Sequence, residues 1–460
     1  MGLSPRTAGK TAARASHSPA ARAFLGKIEP FFAGEEVSGG PMLLAALAAL
    51  ICFNSPFGAG FARLWDTPVS ISFGKITIAQ SLAEWINDAL LPLFFIIIGA
   101  EVKREIVAGE LARWRTASLP LFGALGGMLV PIALFVLINA PTGSVRGWGT
   151  VVASDTAFGL GVVAMFGTRL PTGVRALLLA FAAIDDVGGL GVIAIAYTEH
   201  VAIVGLLVAA GCLAGMVALR AIGWVSTLPY ILLAVLAWAG VFVSGVHPTI
   251  AGVLIGAVAA VYPRFSPEHF SDAIQHRVDQ FQAAHRSSRD GDDALGRREA
   301  QDRSENRLGY LQEMAHATDR PSGRLIGLLN PWVSYLVLPL FALSNVRVPL
   351  SAAMLDGAIH SPIAIGIVVG LVAGKPLGFV GFTWLAEALG LAARPEGVTR
   401  AMMIGVGTLA GIGFTISLFI ASIAFSRPQA MEEASLAILV ASCLSGAIGY
   451  AILHRQACPA

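Results

Sequence analysis

Runs of about 20 apolar residues, the length an α-helix needs to cross a bilayer, recur along almost the whole of this 460-residue chain. A soluble fold cannot cover so many with a charged surface. Only 13% of the residues are charged, against about 25% in an ordinary soluble domain. Inside hydrocarbon every backbone N–H and C=O must be paired within the protein, and a helix does so segment by segment. The expected fold is therefore an all-α membrane protein with about 12 transmembrane helices. They fall near 40–58, 86–102, 117–139, 148–167, 176–197, 201–219, 227–244, 247–262, 331–345, 362–386, 401–425 and 434–453.

These spans divide the chain into five parts: a tail (1–39), helices one to eight (40–262), an insertion (263–330), helices nine to twelve (331–453) and a short C-terminus (454–460). With the N-terminus inside, 25 of the 31 Lys and Arg residues fall on the inner side and 5 on the outer, Lys375 lying within a span. Basic residues favour the cytoplasm, so the tail, the insertion and both termini are expected there. The tail is rich in Ala, Arg, Ser, Pro and Gly, without the short basic and apolar pair of a signal peptide. The insertion mixes 10 basic with 11 acidic residues over 264–324 and reads as a solvated loop. Cys52, Cys212, Cys443 and Cys458 have no metal-like or paired spacing and read as packing residues.

In the first outer loop, apolar and polar residues alternate on either side of Gly74-Lys75, predicting a β-hairpin over about 68–79. Two strands alone are marginal in water. The hairpin is therefore expected to lie on the protein or to join a partner's strands, which points to a homodimer.

Charge inside the spans carries the chemistry. Asp185 and Asp186 sit side by side within ALLLAFAAIDDVGGLGVIAIAY, where one central Asp costs roughly 2.5 to 3.5 kcal/mol to insert. Asp155 is central in VVASDTAFGLG, and Lys375 is central in GLVAGKPLG. The eleventh span has no charge but reads GVGTLAGIGFT, which is glycine- and threonine-rich for a packing helix. Ala153-Ser154-Asp155-Thr156 interrupts the fourth span similarly. A break in mid-membrane exposes helix N-termini with partial positive charge and C-termini with partial negative charge. Asp155 has the sign to offset the first, and Lys375 the second.

Protons and a small hard cation compete for the same carboxylate oxygens, and two adjacent acids titrate as a coupled pair. That competition is antiport chemistry. A lone buried Asp serving as a packing hydrogen bond is the plainer alternative for Asp155. An intramembrane aspartyl hydrolase would use Asp155 against the pair, and a Na⁺-coupled organic-anion carrier would use Lys375 for the anion. A metal-dependent transferase lacks a further nearby acid, and a channel does not suit a deep paired-acid site. No cofactor and no nucleic-acid partner are expected.

The segments WINDALLPLFFIIIGAEVKREIVAG, ASDTAFGLGVVAMFG, LLLAFAAIDDVGGLGVIAIAYT, SGVHPTIAGVLIG, NPWVSYLVLPLFALSN, AGKPLG and GIGFTISLFIASIAF follow one another in this order. They resemble the NhaA sodium/proton antiporters, over roughly 20–262 and 324–453. The resemblance implies an inverted-repeat fold in a bacterial inner membrane, with the fourth and eleventh helices discontinuous and crossed. NhaA proteins are themselves among the examples behind the rule that interrupted spans mark a transport site. It also implies electrogenic exchange of Na⁺ or Li⁺ for H⁺ by alternating access.

By the same resemblance, Asp186 is the principal Na⁺ or Li⁺ ligand and proton carrier, and Asp185 is its partner, pairing with Lys375. Asp155 lies at the helix breaks, and Ser154, where the family often has Thr, offers a ligand oxygen. Glu101, Arg104, Glu105 and His247 match a pH-response cluster near the cytoplasmic funnel, with Asp88 starting the second span. On their own these are ordinary helix-end charges. Before the ninth span Ile326 replaces a common acid and Asn330 a common His, so a different pH profile is expected.

Overall fold

The computed structural model describes residues 39–73, 76–198, 201–222, 224, 226–258 and 321–457. Helices α1 (Gly39–Phe53) and α2 (Gly58–Trp65) lead into strands β1 (Pro68–Phe73) and β2 (Ile76–Ser81). The strands pair antiparallel with Phe73 opposite Ile76. Gly74 and Lys75, the expected turn, lie outside the described residues, as do the tail and residues 259–320 of the insertion region.

Helix α3 (Leu82–Ala108) begins four residues before the apolar pattern places it. The reason is a capping box: Glu84 N–H donates to the Ser81 hydroxyl, and Ser81 N–H donates to the Glu84 carboxylate. Asp88 is therefore not at the helix start but inside a π-helical turn, Ile86–Leu90. Its carboxylate accepts from Gln80 Nε2 on β2 at 2.7 Å, and its carbonyl accepts from Trp238 Nε1 at 2.6 Å. Trp85 Nε1 donates to Val69 O at 2.9 Å, so the hairpin is tied down at two points.

There follow α4 (Trp114–Asn139), a 3₁₀ segment (Val145–Val151), α5 (Thr156–Ala164), α6 (Thr172–Ala196), α7 (Ile203–Ala221), α8 (Thr227–Val243) and α9 (Thr249–Val258). After the insertion come α10 (Leu325–Asn345), α11 (Ala352–His360), α12 (Pro362–Ala388), α13 (Arg400–Leu409), α14 (Phe414–Ala424) and α15 (Pro428–Ala457). The backbone is already helical over Pro321–Trp332, so the ninth span starts earlier than the predicted Pro331. Ile326 and Leu329 pack there on the apolar core, which extends the helix inward.

Among the described residues seven helices are long and apolar enough to cross a membrane, or eight if α13 and α14, bent by 44° at their break, count as one. Their outward faces are apolar: Leu137, Ile195 and Val204 are more than two-thirds exposed, a surface suited to lipid. The protein is a multi-pass membrane protein. Of the cysteines, Cys212 is buried, whereas Cys52 and Cys443 lie on the exterior and do not pack inside.

Small residues set the helix contacts that matter for the interior. A methyl group on Gly126 of α4 would lie 2.1 Å from the Gly378 carbonyl oxygen of α12, and one on Gly378 would lie 2.0 Å from the Gly126 oxygen. Such backbone-to-backbone approach is how membrane helices gain packing without a hydrophobic drive. It seats Lys375, one turn before Gly378, against α4 and α6. Phe181 and Phe379, both fully buried, meet edge-on at 5.1 Å beside it.

Candidate ion-binding site

Lys375 is completely buried. Its Nζ donates to both oxygens of Asp185 at 2.9 Å, to Ser154 Oγ at 3.0 Å and to the carbonyl of Val152. Val152 follows the last residue of the 3₁₀ segment Val145–Val151, so the ammonium offsets the negative end of a half-helix. The ring of Phe181 lies 5.8 Å from Nζ. Asp185 also accepts from Ser154 N at 2.8 Å and Ser154 Oγ at 2.7 Å. The Ser154 hydroxyl further approaches Ala410 O at 2.6 Å. Its hydroxyl thus accepts from Lys375 and donates to Asp185 or Ala410, which holds Ser154 within the Asp185 network.

The two interrupted stretches touch directly. Asp155 N donates to Ile412 O at 2.5 Å, and Ser417 Oγ donates to Ala153 O at 3.4 Å. Asp155 precedes α5, and its Oδ2 accepts from Thr415 N at 3.2 Å and from the Thr415 hydroxyl. Thr415 is the second residue of α14. One carboxylate thus serves the positive ends of two helices. Where the chain leaves helical geometry, the freed groups at Ala153, Asp155, Ile412 and Thr415 find partners in the opposite break.

Asp186 is placed differently. Adjacent residues on a helix point about 100° apart, so while Asp185 turns to Lys375, Asp186 turns to a different face of α6. It is buried, and its Oδ1 has no hydrogen-bond partner among the described residues. A native buried oxygen in that condition demands an explanation. Asp186 opens onto a crevice that Ile98, Glu101, Arg104, Glu105 and Leu160 also line, with room of about 30 Å³. That is room for a water or a small ion.

The structure gathers Asp185, Ser154 and Lys375 into one bonded network, ties Asp155 to Thr415 and Ile412 of the other break, and sets Asp186, Glu101, Arg104 and Glu105 around one crevice. It does not bring His247 to that crevice. Helix α9 runs beside α3 in the same direction: a methyl on Gly252 would meet Pro92 O at 2.4 Å, and one on Gly256 would meet Ile96 O at 2.1 Å. His247, before the start of α9, therefore lies near the Asp88 end of α3. Glu101 is about 20 Å further along at 1.5 Å per residue. The His247 ring instead meets Phe419 edge-on, 5.8 Å between centroids. Ile326 packs into the core, and Asn330 accepts from Ser334 Oγ at 3.2 Å.

Two residues of this region were not singled out by sequence. Thr415 lay in a run already notable for glycine and threonine, but nothing local marks it as the partner of an acid 260 positions away. Tyr197, at the end of α6, carries no signal beyond its place next to an apolar run.

A family model described as Na⁺/H⁺ antiporter 1 matches residues 29–453. Among curated relatives, "Na(+)/H(+) antiporter NhaA 2" of Myxococcus xanthus is 41% identical over 418 residues, spanning 90% of this chain and 86% of the relative. "Na(+)/H(+) antiporter NhaA" of Wolinella succinogenes is 37% identical, spanning 91% of each chain. On this match over nearly its whole length, joined to the bonded breaks and the buried acid pair, the chain belongs to the NhaA family of Na⁺/H⁺ antiporters.

Proposed function

We propose that this protein is a secondary antiporter, not an enzyme, which expels Na⁺ or Li⁺ in exchange for H⁺, with Asp186 the carboxylate for which cation and proton compete. The observation that carries this reading is the contrast at positions 185 and 186. One buried acid is fully bonded, and its neighbour, which lines a crevice with room for a small ion, keeps an unpartnered oxygen. Asp155 stabilises the two breaks through Thr415, and Lys375 holds Asp185 until its proton or its partner is released. Asp185 becomes the second cation ligand when that latch opens. Ser154 acts as part of the latch.

Twelve crossings are proposed: the seven long helices, the bent pair α13 and α14, the shorter apolar helices α1, α8 and α9, and the broken stretch formed by the 3₁₀ segment and α5. Two inverted repeats would bring the fourth and eleventh crossings over each other at their breaks. Their mutual hydrogen bonds support this. Both termini and the insertion are assigned to the cytoplasm of a bacterial plasma membrane by the placement of Lys and Arg. The hairpin is proposed as a homodimer contact. Exchange of more protons than sodium ions would move net charge, and one charge crossing 100 mV is worth about 2.3 kcal/mol.

The rival readings lose support. Lys375 is fully buried and bonded to Asp185, so it is not open to an organic anion. Asp155 and Asp185 are each tied to other groups, so the two do not face one another as free acids in the way an aspartyl hydrolase built on them requires. The test is an imposed pH gradient in everted membrane vesicles. Addition of Na⁺ or Li⁺ should collapse it across pH 6.5–9, and K⁺ should not. Equal responses to all three ions would overturn the proposal.

A further inference from the structure

Tyr197 lies outside the network so far described, yet it touches the same broken stretch from the other end. It caps the C-terminus of α6, the helix that carries both acids, and is almost fully buried. Its hydroxyl donates to Arg146 O at 2.6 Å and accepts from Gly149 N at 3.2 Å. Both groups belong to the 3₁₀ segment Val145–Val151. Gly149 has no side chain for a physical reason: a Cβ there would sit 2.7 Å from the Tyr197 hydroxyl.

The 3₁₀ segment is thus held to α6 twice. Tyr197 grips its first turns. At its far end Ser154 binds Asp185, and Val152 O binds Lys375. Asp185 and Tyr197 are 12 residues apart on α6, about 18 Å at helical rise. A segment pinned at both ends to one helix moves with that helix as a unit. A segment pinned only at the acid end can slide and carry Val152 O and Ser154 away from their partners.

We infer that Tyr197 is a positioning residue: its hydroxyl keeps the half-helix before Asp155 in register with Asp185 and Lys375. The transport consequences rest on the proposed antiport, whereas the register itself does not. Backbone hydrogen exchange reads the register in purified protein whether or not the protein transports. In the wild type, Gly149 and Ser154 amides should open together at one rate. In Tyr197→Phe, which keeps the ring and loses both bonds, exchange should quicken at both, by roughly thirtyfold at about 1 kcal/mol for each bond.

Gly149→Ala, which crowds the hydroxyl, should act alike. Tyr230→Phe, whose hydroxyl bonds at 3.3 Å to Trp224 O in an exposed setting, should change nothing. In vesicles, Tyr197→Phe, which loosens the latch on Asp185, should lower the apparent KM for Na⁺ several-fold while the maximal rate changes less. A merely structural tyrosine would lower the amount of active protein and leave KM alone. Acceleration confined to Gly149, with Ser154 unaffected, would overturn the inference, as would an unchanged KM in vesicles that exchange normally. Wild-type vesicles inert to Na⁺ would overturn the antiport proposal, and the exchange rates would still decide the role of Tyr197.

Discussion

Asp185 and Asp186 leave the same helix one residue apart and arrive in opposite surroundings. On the Asp185 side, every polar atom has a partner: an ammonium, a hydroxyl, an amide and the end of a half-helix converge within 3 Å. On the Asp186 side, an oxygen is left without one, next to a small crevice lined by charged residues. The difference teaches how a membrane protein keeps a reactive group at depth. The fold spends its fixed charges and freed backbone dipoles on one carboxylate, and leaves the other for something mobile to complete.

The comparison breaks most simply at Asp186. Asp186→Asn removes the charge for which the ions compete, and Na⁺-driven collapse of a pH gradient should be lost altogether. Full activity would show that the wrong acid has been chosen. Next in size is the bonded side. Lys375→Ala leaves Asp185 charged and unpaired in the interior, which should destabilise the protein by about 3–5 kcal/mol, seen as a lower Tm in detergent. Adding Asp185→Asn to Lys375→Ala should recover much of that loss. No recovery would mean the pair is not the principal reason for the damage. The smallest effect is expected at Ser154. Ser154→Ala, which loosens the latch on Asp185, should strengthen apparent Na⁺ affinity by about fivefold, the worth of one hydrogen bond, while Ser154→Thr should behave as the wild type in the same vesicles.

Much of the bonded side was legible in sequence, because charge in an apolar run is too costly to be incidental. Asp185, Asp186, Asp155 and Lys375 announce themselves in this way, and the two breaks do so through glycine and hydroxyl residues where a packing helix would have Leu or Val. What was not legible depends on contacts between distant segments. Thr415 became the partner of Asp155 only when the two breaks met. The bonds of Ser154 to Lys375, Asp185 and Ala410 O likewise join segments far apart in the chain. His247 failed to join the Glu101 group because Gly252 and Gly256 fix the register of α9 against α3, and no local pattern carries that register. The start of α3 was misplaced because hydropathy ignores a capping box whose residues are polar.

The claim that matters most is that Na⁺ and a proton exclude one another at Asp186. Calorimetric titration of the purified protein with Na⁺, repeated from pH 6.5 to 9 in buffers of different ionisation heat, measures binding and proton release together. Apparent affinity should fall as pH falls, binding should release protons into the buffer, and Asp186→Asn should abolish both signals. Na⁺ binding that persists in Asp186→Asn, or that releases no proton at any pH, would contradict the account.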